Sequence, residues 1–139
     1  MVDSVQVSPT NNRRQRPIAN VPTIVDTGSM LILGDRYNVA RLYSYISGSR
    51  SLGNGLYAVP CSNIPTVSFT IGGVIYNISP TLFNQGPVSQ GSTLCIGGIA
   101  ASNTGYWTLG DVFLRGFYSV FDLGTTGNGN RRVGFATLS

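Results

Sequence analysis

The sequence predicts an all-β domain with one or two short helices. Short alternating runs of apolar and polar residues recur along the chain, and Gly, Pro and Asn separate them at close intervals. Glycine contributes 18 of the 139 residues, and a chain of this length suits one domain with a sizeable core. We therefore expect a single β-rich domain over residues 1–139, without an internal repeat or linker.

The N-terminal quarter contains two predicted strands and a connection between them. The first strand is expected from Val2 to Val7, and a polar hairpin tip follows from Pro9 to Pro17. The second strand is expected from Val21 to Val25 and leads directly into Asp26. This order places a carboxylate at the end of an apolar strand.

The middle of the chain carries the helix signal and the clearest hairpin signal. A helix is predicted from about Asp35 to Ile46, because four apolar residues recur at the i, i+3, i+4, i+7 spacing of a buried face. These residues are Val39, Leu42, Tyr43 and Ile46. Strands at Val67–Ile71 and Val74–Ile78 flank a Gly-Gly pair, which supplies the positive φ angles of a tight turn.

The C-terminal third predicts one helical turn and a final hairpin. Asp111 is expected to cap a short helical turn that precedes the strand Phe117–Leu123. The segment Gly124–Asn130 then turns the chain back into a last strand at Val133–Ala136.

Composition excludes most catalytic chemistries. All nine basic residues are Arg, all five acidic residues are Asp, and His, Lys and Glu are absent. A Ser-His or Cys-His pair, a Schiff-base lysine and a phosphate-loop lysine are therefore unavailable within this chain. General acid and base catalysis falls to Asp, and we expect no metal and no cofactor because no residue spacing resembles a zinc or calcium site.

Charge and hydropathy predict neither nucleic acid nor membrane as a partner. The net charge is +4, but the Arg residues are scattered along the chain rather than gathered in one patch. No apolar run reaches membrane-spanning length, and the sequence contains no signal peptide.

Two cysteines and one sequon favour an oxidising compartment. Cys61 and Cys95 are the only cysteines, and they form either a disulfide or two buried free thiols. The triplet that begins at Asn77 is an N-glycosylation sequon, although Pro80 follows it. Together these features predict a secreted or vacuolar protein.

The chemistry concentrates where the second predicted strand ends in Asp26. Gly28 allows the backbone to bend so that an amide faces the Asp26 carboxylate, and the Ser29 hydroxyl is expected to hydrogen-bond one carboxylate oxygen. Thr27 is expected to bond across to a partner loop. Asp-Thr-Gly alone is a weak signal, because an Asp before a Gly is most often turn chemistry.

The order of the surrounding segments makes the signal specific. Downstream of Asp26 come Cys61 before Ile64-Pro65, the Gly-Gly hairpin, and the three segments Trp107–Arg115, Tyr118–Asp122 and Arg132–Ala136. This succession resembles the C-terminal lobe of pepsin-like aspartic proteases along nearly the whole chain. The resemblance implies one lobe of the pepsin-like double-barrel fold, with the N-terminal lobe absent.

The resemblance also assigns roles to particular residues. Asp26 matches the second catalytic aspartate, a disulfide joins the positions that match Cys61 and Cys95, and Asp111 matches a helix cap that is not catalytic. Met30 stands where the family usually has a Ser or Thr that lines the substrate cleft. Thr108 likewise replaces the aliphatic residue of a hydrophobic-hydrophobic-Gly element.

Three hypotheses follow for the function. The favoured one is an aspartic endopeptidase lobe that supplies one of two catalytic aspartates for hydrolysis of a peptide or protein substrate at acid pH, with an N-terminal lobe supplying the other. The second is a homodimeric protease of the retroviral type, in which two copies each supply one Asp. The third is a non-catalytic pepsin-like binding or inhibitor module, and an unrelated β-sandwich is a more remote alternative.

A lobe without its partner is expected to expose an apolar interface. Ile24, Leu31 and Leu109 are predicted to form it, and an isolated lobe is expected to associate or aggregate through these residues.

Overall fold

The protein is described by a computed structural model over residues 2–8, 18–26, 28–122 and 132–137. Short strands dominate this part of the chain, and the prediction of an all-β fold is confirmed. Three short helices occur within it rather than one or two. In chain order the elements are β1 (Val2–Ser8), β2 (Ile18–Val21), β3 (Thr23–Val25), β4 (Ile32–Asp35), α1 (Arg36–Tyr43), β5 (Arg50–Gly53), β6 (Leu56–Pro60), β7 (Thr66–Ile71), β8 (Val74–Ile78), α2 (Pro80–Phe83), β9 (Asn84–Pro87), β10 (Leu94–Gly97), β11 (Ile99–Ser102), β12 (Trp107–Leu109), α3 (Asp111–Leu114), β13 (Phe117–Asp122) and β14 (Arg132–Thr137).

An antiparallel sheet in the order β2-β1-β7-β8 forms one wall of the domain. Its β7–β8 connection confirms the predicted hairpin, because Gly72 and Gly73 take φ angles of 59° and 79°. The predicted first strand is also confirmed. The expected hairpin tip at residues 9–17 lies outside the described residues.

A second antiparallel sheet, in the order β5-β6-β10-β9, carries the disulfide. Cys61 and Cys95 are bonded, with their Cα atoms 5.1 Å apart, which decides between the two interpretations of the cysteines. The Cys61 amide also donates to the Thr93 carbonyl, 2.9 Å away. The disulfide therefore reinforces a connection that the β6–β10 pairing already makes.

The third sheet is mixed and has the order β11-β4-β12-β3. Strand β12 pairs in parallel with β3 and antiparallel with β4, while β4 pairs in parallel with β11. The prediction of one strand from Val21 to Val25 is wrong, because Pro22 divides it between two sheets. Proline has no amide hydrogen to donate to a sheet, so the chain changes sheets there.

Helix α1 is shorter than predicted, although its buried face is as expected. Beyond Tyr43 the chain continues in tighter turns, because the Ile46 amide donates to the Tyr43 carbonyl at 3.0 Å. The four apolar residues of the predicted stripe are buried; they are Val39, Leu42, Tyr43 and Ile46. Burial raises the pKa of Tyr43, whose hydroxyl donates to the Ile99 carbonyl, 2.5 Å away.

Of the two smaller helices, one was not predicted and the other lacks the predicted cap. Helix α2 was not predicted, although Ser79 accepts a hydrogen bond from the Leu82 amide and Pro80 occupies the first helical position. Helix α3 begins at Asp111, but its N-cap is Gly110, which makes no side-chain cap bond. The prediction that Asp111 caps this helix is therefore wrong.

The last two elements form the hairpin expected at the C-terminus. Strands β13 and β14 pair antiparallel along their length, from Phe117 opposite Thr137 to Asp122 opposite Arg132. The expected turn at residues 124–130 lies outside the described residues.

Asp35 connects the third sheet to α1 and to the core. One carboxylate oxygen accepts from the Asn38 amide at 3.0 Å, which caps the helix, and the other accepts from the Trp107 indole nitrogen at 2.8 Å. Burial raises the pKa of Asp35, but the bonds from Asn38 and Trp107 together lower it below the ordinary value of 3.8. The folded state therefore stabilises the charged carboxylate.

We expect Asp35→Ala to lower the free energy of unfolding at neutral pH by about 2–3 kcal/mol, since it removes a helix cap and leaves a buried indole donor unpaired. A lowered folded pKa stabilises the protein fully above the unfolded value, and this contribution disappears as pH falls below 3.8. Urea unfolding at several pH values measures both effects. For the pH effect the comparison is with Asp35→Asn, whose side chain cannot ionise. The difference in unfolding free energy between the parent chain and Asp35→Asn should shrink below pH 3.8, and a constant difference would contradict this account.

Candidate active site

Asp26 lies at the end of the edge strand β3, with its side chain exposed. Its backbone amide donates to the Leu109 carbonyl at 3.2 Å, so β12 fixes where the strand ends. A backbone amide faces the carboxylate, as the sequence predicted, and it is the Gly28 amide, which donates to one Asp26 carboxylate oxygen at 2.9 Å. The carboxylate is therefore oriented by backbone while it remains open to a ligand.

The other residues of the predicted motif are arranged differently. The Ser29 hydroxyl donates to the Leu31 carbonyl at 3.2 Å, so the predicted bond from Ser29 to the Asp26 carboxylate is not formed. Ser29 supports the backbone of the loop instead. Met30 extends into solvent, with 76% of its surface exposed. Thr27 lies outside the described residues, and its expected bond across to a partner loop stays a prediction.

Two backbone amides at the start of α3 hydrogen-bond to the backbone that follows Asp26. The Asp111 amide donates to the Ser29 carbonyl at 2.7 Å, and the Val112 amide donates to the Met30 carbonyl at 3.1 Å. These amides belong to the first turn of α3, where helical partners are lacking. The described residues 26 and 28–31, which we call the Asp26 loop, are thus anchored by backbone groups about 80 residues away in sequence.

Gly110 is a supporting residue that the motif alone did not reveal. A β-carbon at this position would meet the Leu31 carbonyl oxygen, and it would stand 2.5 Å from the Ser29 carbonyl oxygen. Only glycine lets α3 approach the loop this closely. The close approach is what allows the two amides of α3 to reach the loop.

We expect Gly110→Ala to displace the Asp26 loop and to lower the free energy of unfolding by about 1–3 kcal/mol, the usual cost of overpacking. Thermal unfolding measures this loss. Gly105→Ala is the matched control, because a β-carbon at Gly105 meets nothing within 4 Å. Equal stability of the two variants would show that α3 does not constrain the loop.

The expected apolar interface is only partly exposed. Ile24 lies two residues before Asp26, on the same side of β3, and 46% of its surface is exposed. Leu31 is half-buried and packs against the core, whereas Leu109 is fully buried within it. The prediction that Leu109 contributes to an exposed interface is therefore wrong. Thr108, which lies opposite Ile24, is also buried.

Three of the other Asp side chains serve local structure. Asp3 accepts from the Gly73 amide at 3.2 Å, Asp35 has the contacts described above, and Asp111 lies 3.9 Å from the Arg115 guanidinium. Among the described residues, no three His, Cys, Asp or Glu side chains gather in a way that could hold a metal ion. No described helix is long and apolar enough to span a bilayer.

Asn77 lies on the edge strand β8, and its side chain is exposed. Its side-chain amide oxygen, Oδ1, accepts a hydrogen bond from the Ser68 hydroxyl, 2.6 Å away on the neighbouring strand. The Ser79 hydroxyl of the same sequon accepts the bond from the Leu82 amide at the start of α2. Asn77 is therefore accessible, whereas the Ser79 hydroxyl is hydrogen-bonded within the protein.

Comparison with known proteins identifies the family. The family model described as eukaryotic aspartyl protease matches residues 1–138. An aspartic protease of Phaffia rhodozyma is 45% identical over an alignment of 120 residues, and the match covers 81% of this chain and 28% of that protein. Penicillopepsin-1 of Penicillium janthinellum is 42% identical over an alignment of 102 residues, and the match covers 71% of this chain and 31% of that protein.

Relatives from animals match a similar share of this chain. Cathepsin E of Aquarana catesbeiana is 40% identical over an alignment of 123 residues, and the match covers 83% of this chain and 28% of that protein. Pepsin A of Bos taurus is 34% identical over an alignment of 124 residues, and the match covers 84% of this chain and 31% of that protein. The chain thus spans less than a third of the length of the curated relatives that it matches, and it belongs to the eukaryotic aspartyl protease family.

Proposed function

We propose that this chain is the C-terminal lobe of an aspartic endopeptidase and supplies Asp26 as one of two catalytic carboxylates. The observation that carries the proposal is the exposed Asp26 carboxylate, held by the Gly28 amide at 2.9 Å on a loop anchored from beneath by α3. The described Asp side chains elsewhere have structural partners. Among the described Asp residues, Asp26 is the one that is exposed on an anchored loop and that also matches the catalytic aspartate of the family.

The proposed reaction is hydrolysis of a peptide bond by an activated water. Two neighbouring carboxylates share one proton at acid pH, because like charges at short range disfavour double ionisation. The water attacks the scissile carbonyl carbon while the ionised carboxylate removes a proton from that water. The protonated carboxyl donates its proton to the carbonyl oxygen. The Gly28 amide holds the Asp26 carboxylate in place for this exchange.

A second lobe completes the site in this proposal. The chain corresponds to 28% of the length of the Phaffia rhodozyma relative, so an N-terminal lobe with a further Asp-Thr-Gly loop is the expected partner. The exposed Ile24 beside Asp26 suits contact with that lobe. The substrate is an extended peptide with large apolar side chains, bound along the cleft as an added strand.

The site of action that we propose is an oxidising compartment, either secreted or vacuolar. The disulfide between Cys61 and Cys95 suits such a compartment, because disulfides are rarely retained in the reducing cytosol. Exposed Asn77 is the proposed glycan acceptor there. Treatment with an N-glycosidase, with Asn77→Gln as control, tests the glycan by the change in mass.

The test of function is light scattering at mildly acid pH with a quenched apolar peptide assayed on the same peak. The chain is measured alone and with the N-terminal lobe of the Phaffia rhodozyma relative. A monomer that cleaves the peptide only in a one-to-one complex with that lobe is the expected result. An active dimer without the added lobe would identify a two-fold enzyme, and a stable complex that never cleaves would identify a binding module.

A further inference from the structure

Met30 is the most accessible oxidisable side chain that the structure describes. The chain has no His, both Cys residues are bonded to each other, and the single Trp is 1% exposed. The sequence has two Met residues, and Met1 lies outside the described residues. With 76% of its surface exposed, the Met30 thioether is the one reduced sulfur in the described part that meets solvent freely.

The position of Met30 ties this sulfur to the candidate site. It stands four residues after Asp26, and its carbonyl accepts from the Val112 amide at 3.1 Å. The preceding carbonyl, of Ser29, is held by the Asp111 amide at 2.7 Å. The backbone is therefore fixed on both peptide units, while most of the side chain is open to solvent. A flexible thioether on such a support is suited to contact an apolar ligand.

We propose that Met30 is a site of modification by hydroperoxides, and that its oxidation weakens apolar substrate binding beside Asp26. A lone pair of the Met30 sulfur attacks the outer peroxide oxygen, the O–O bond breaks, and a sulfur–oxygen bond forms. The sulfur first carries a positive charge and the transferred OH group; the leaving hydroxide or alkoxide takes the proton of that OH group and departs as water or alcohol, which leaves the neutral sulfoxide. Sulfur is oxidised by two electrons and the peroxide is reduced by two.

Oxidation changes the site without changing the core. The sulfoxide is polar and chiral, so a contact surface for apolar side chains becomes a hydrogen-bond acceptor. Because most of the Met30 side chain lies outside the core, the modified chain keeps its packing and its thermal stability. The consequence for catalysis rests on the proposed function, whereas the modification itself depends only on the structure of this chain.

The first experiment uses the chain alone. Folded and urea-unfolded samples are treated with limiting hydrogen peroxide, and sulfoxide at Met30 is followed by peptide mass spectrometry. We expect closely similar rates in the two states and an unchanged unfolding temperature after oxidation. Strong protection of Met30 in the folded state, or unfolding caused by its oxidation, would overturn the proposal.

The second experiment uses the active assembly with its partner lobe and includes Met30→Leu, which keeps an apolar side chain and removes the sulfur. Peroxide should raise KM for apolar peptides by about tenfold in the parent assembly, with little change in kcat, and should leave Met30→Leu unaffected. Equal losses in both assemblies, or none in the parent, would overturn the role of Met30. An assembly inactive before any peroxide is added counts against the proposed function, and the first experiment then decides the modification site alone.

Discussion

The Asp26→Asn variant of the active assembly is expected to cleave peptides at least about a hundredfold more slowly than the parent, the range of effect of a general acid or base. The amide cannot take a proton from water, and it cannot share one with a second carboxylate. The side chain keeps its size and an oxygen for the Gly28 amide, which lies 2.9 Å from the carboxylate. Single-turnover cleavage of the quenched peptide measures the loss.

Asp111→Asn is the matched control for this variant. Asp111 is also an exposed Asp near the Asp26 loop, but its carboxylate faces the Arg115 guanidinium at 3.9 Å. An exposed ion pair of this kind contributes little to stability, so the control should keep full activity. If both variants cleave at the parent rate, Asp26 is not catalytic. If both lose activity, the loss reflects damage to α3 and its contacts with the loop.

Removal of the disulfide is expected to have the largest effect on stability. The bond between Cys61 and Cys95 closes a loop with a sequence separation of 34 residues. For a loop of this size the chain-entropy model gives about 3–4 kcal/mol of stabilisation, because the cross-link restricts the unfolded chain. The double variant Cys61→Ala with Cys95→Ala should lose this amount of unfolding free energy in urea.

Alanine is the better replacement because Cys95 is 3% exposed, and a serine hydroxyl there would need a partner. Parent protein unfolded with and without reductant provides the matched comparison, since it separates the cross-link from the side chains. The native contacts between β6 and β10 remain in the variant. A loss below about 1 kcal/mol would mean that the reduced, unfolded chain keeps residual structure around these strands.

The sequence predicted those elements whose formation depends on residues close together in the chain. The Gly-Gly hairpin and the buried stripe of α1 follow from turn chemistry and helical periodicity, and both are confirmed. The strand predicted across Pro22 failed, because apolar periodicity does not show to which sheet a residue belongs. Short strands such as β12 were missed because their pairing partners are distant in sequence, and no local pattern marks them.

The candidate site was predictable only in its local part. The sequence predicted that a backbone amide faces the Asp26 carboxylate, and the contact that forms, from the Gly28 amide, joins residues two apart. The anchoring by α3 depends on how closely Gly110 approaches the Asp26 loop, and no spacing within the motif encodes that distance. The sequence predicted that the Ser29 hydroxyl bonds the Asp26 carboxylate, but it donates to the Leu31 carbonyl instead, an outcome that depends on the path of the loop.

The pairing of β12 has a consequence for the order of folding. β3 and β4, the strands that flank the Asp26 loop, both pair with β12, which lies at residues 107–109. Contacts of such long sequence separation form late, because the intervening chain must first lose entropy. We expect amides around Asp26 to gain hydrogen-exchange protection later in refolding than those of the β7–β8 hairpin. A nascent chain would thus hold its carboxylate in an unformed loop until most of the domain has been made.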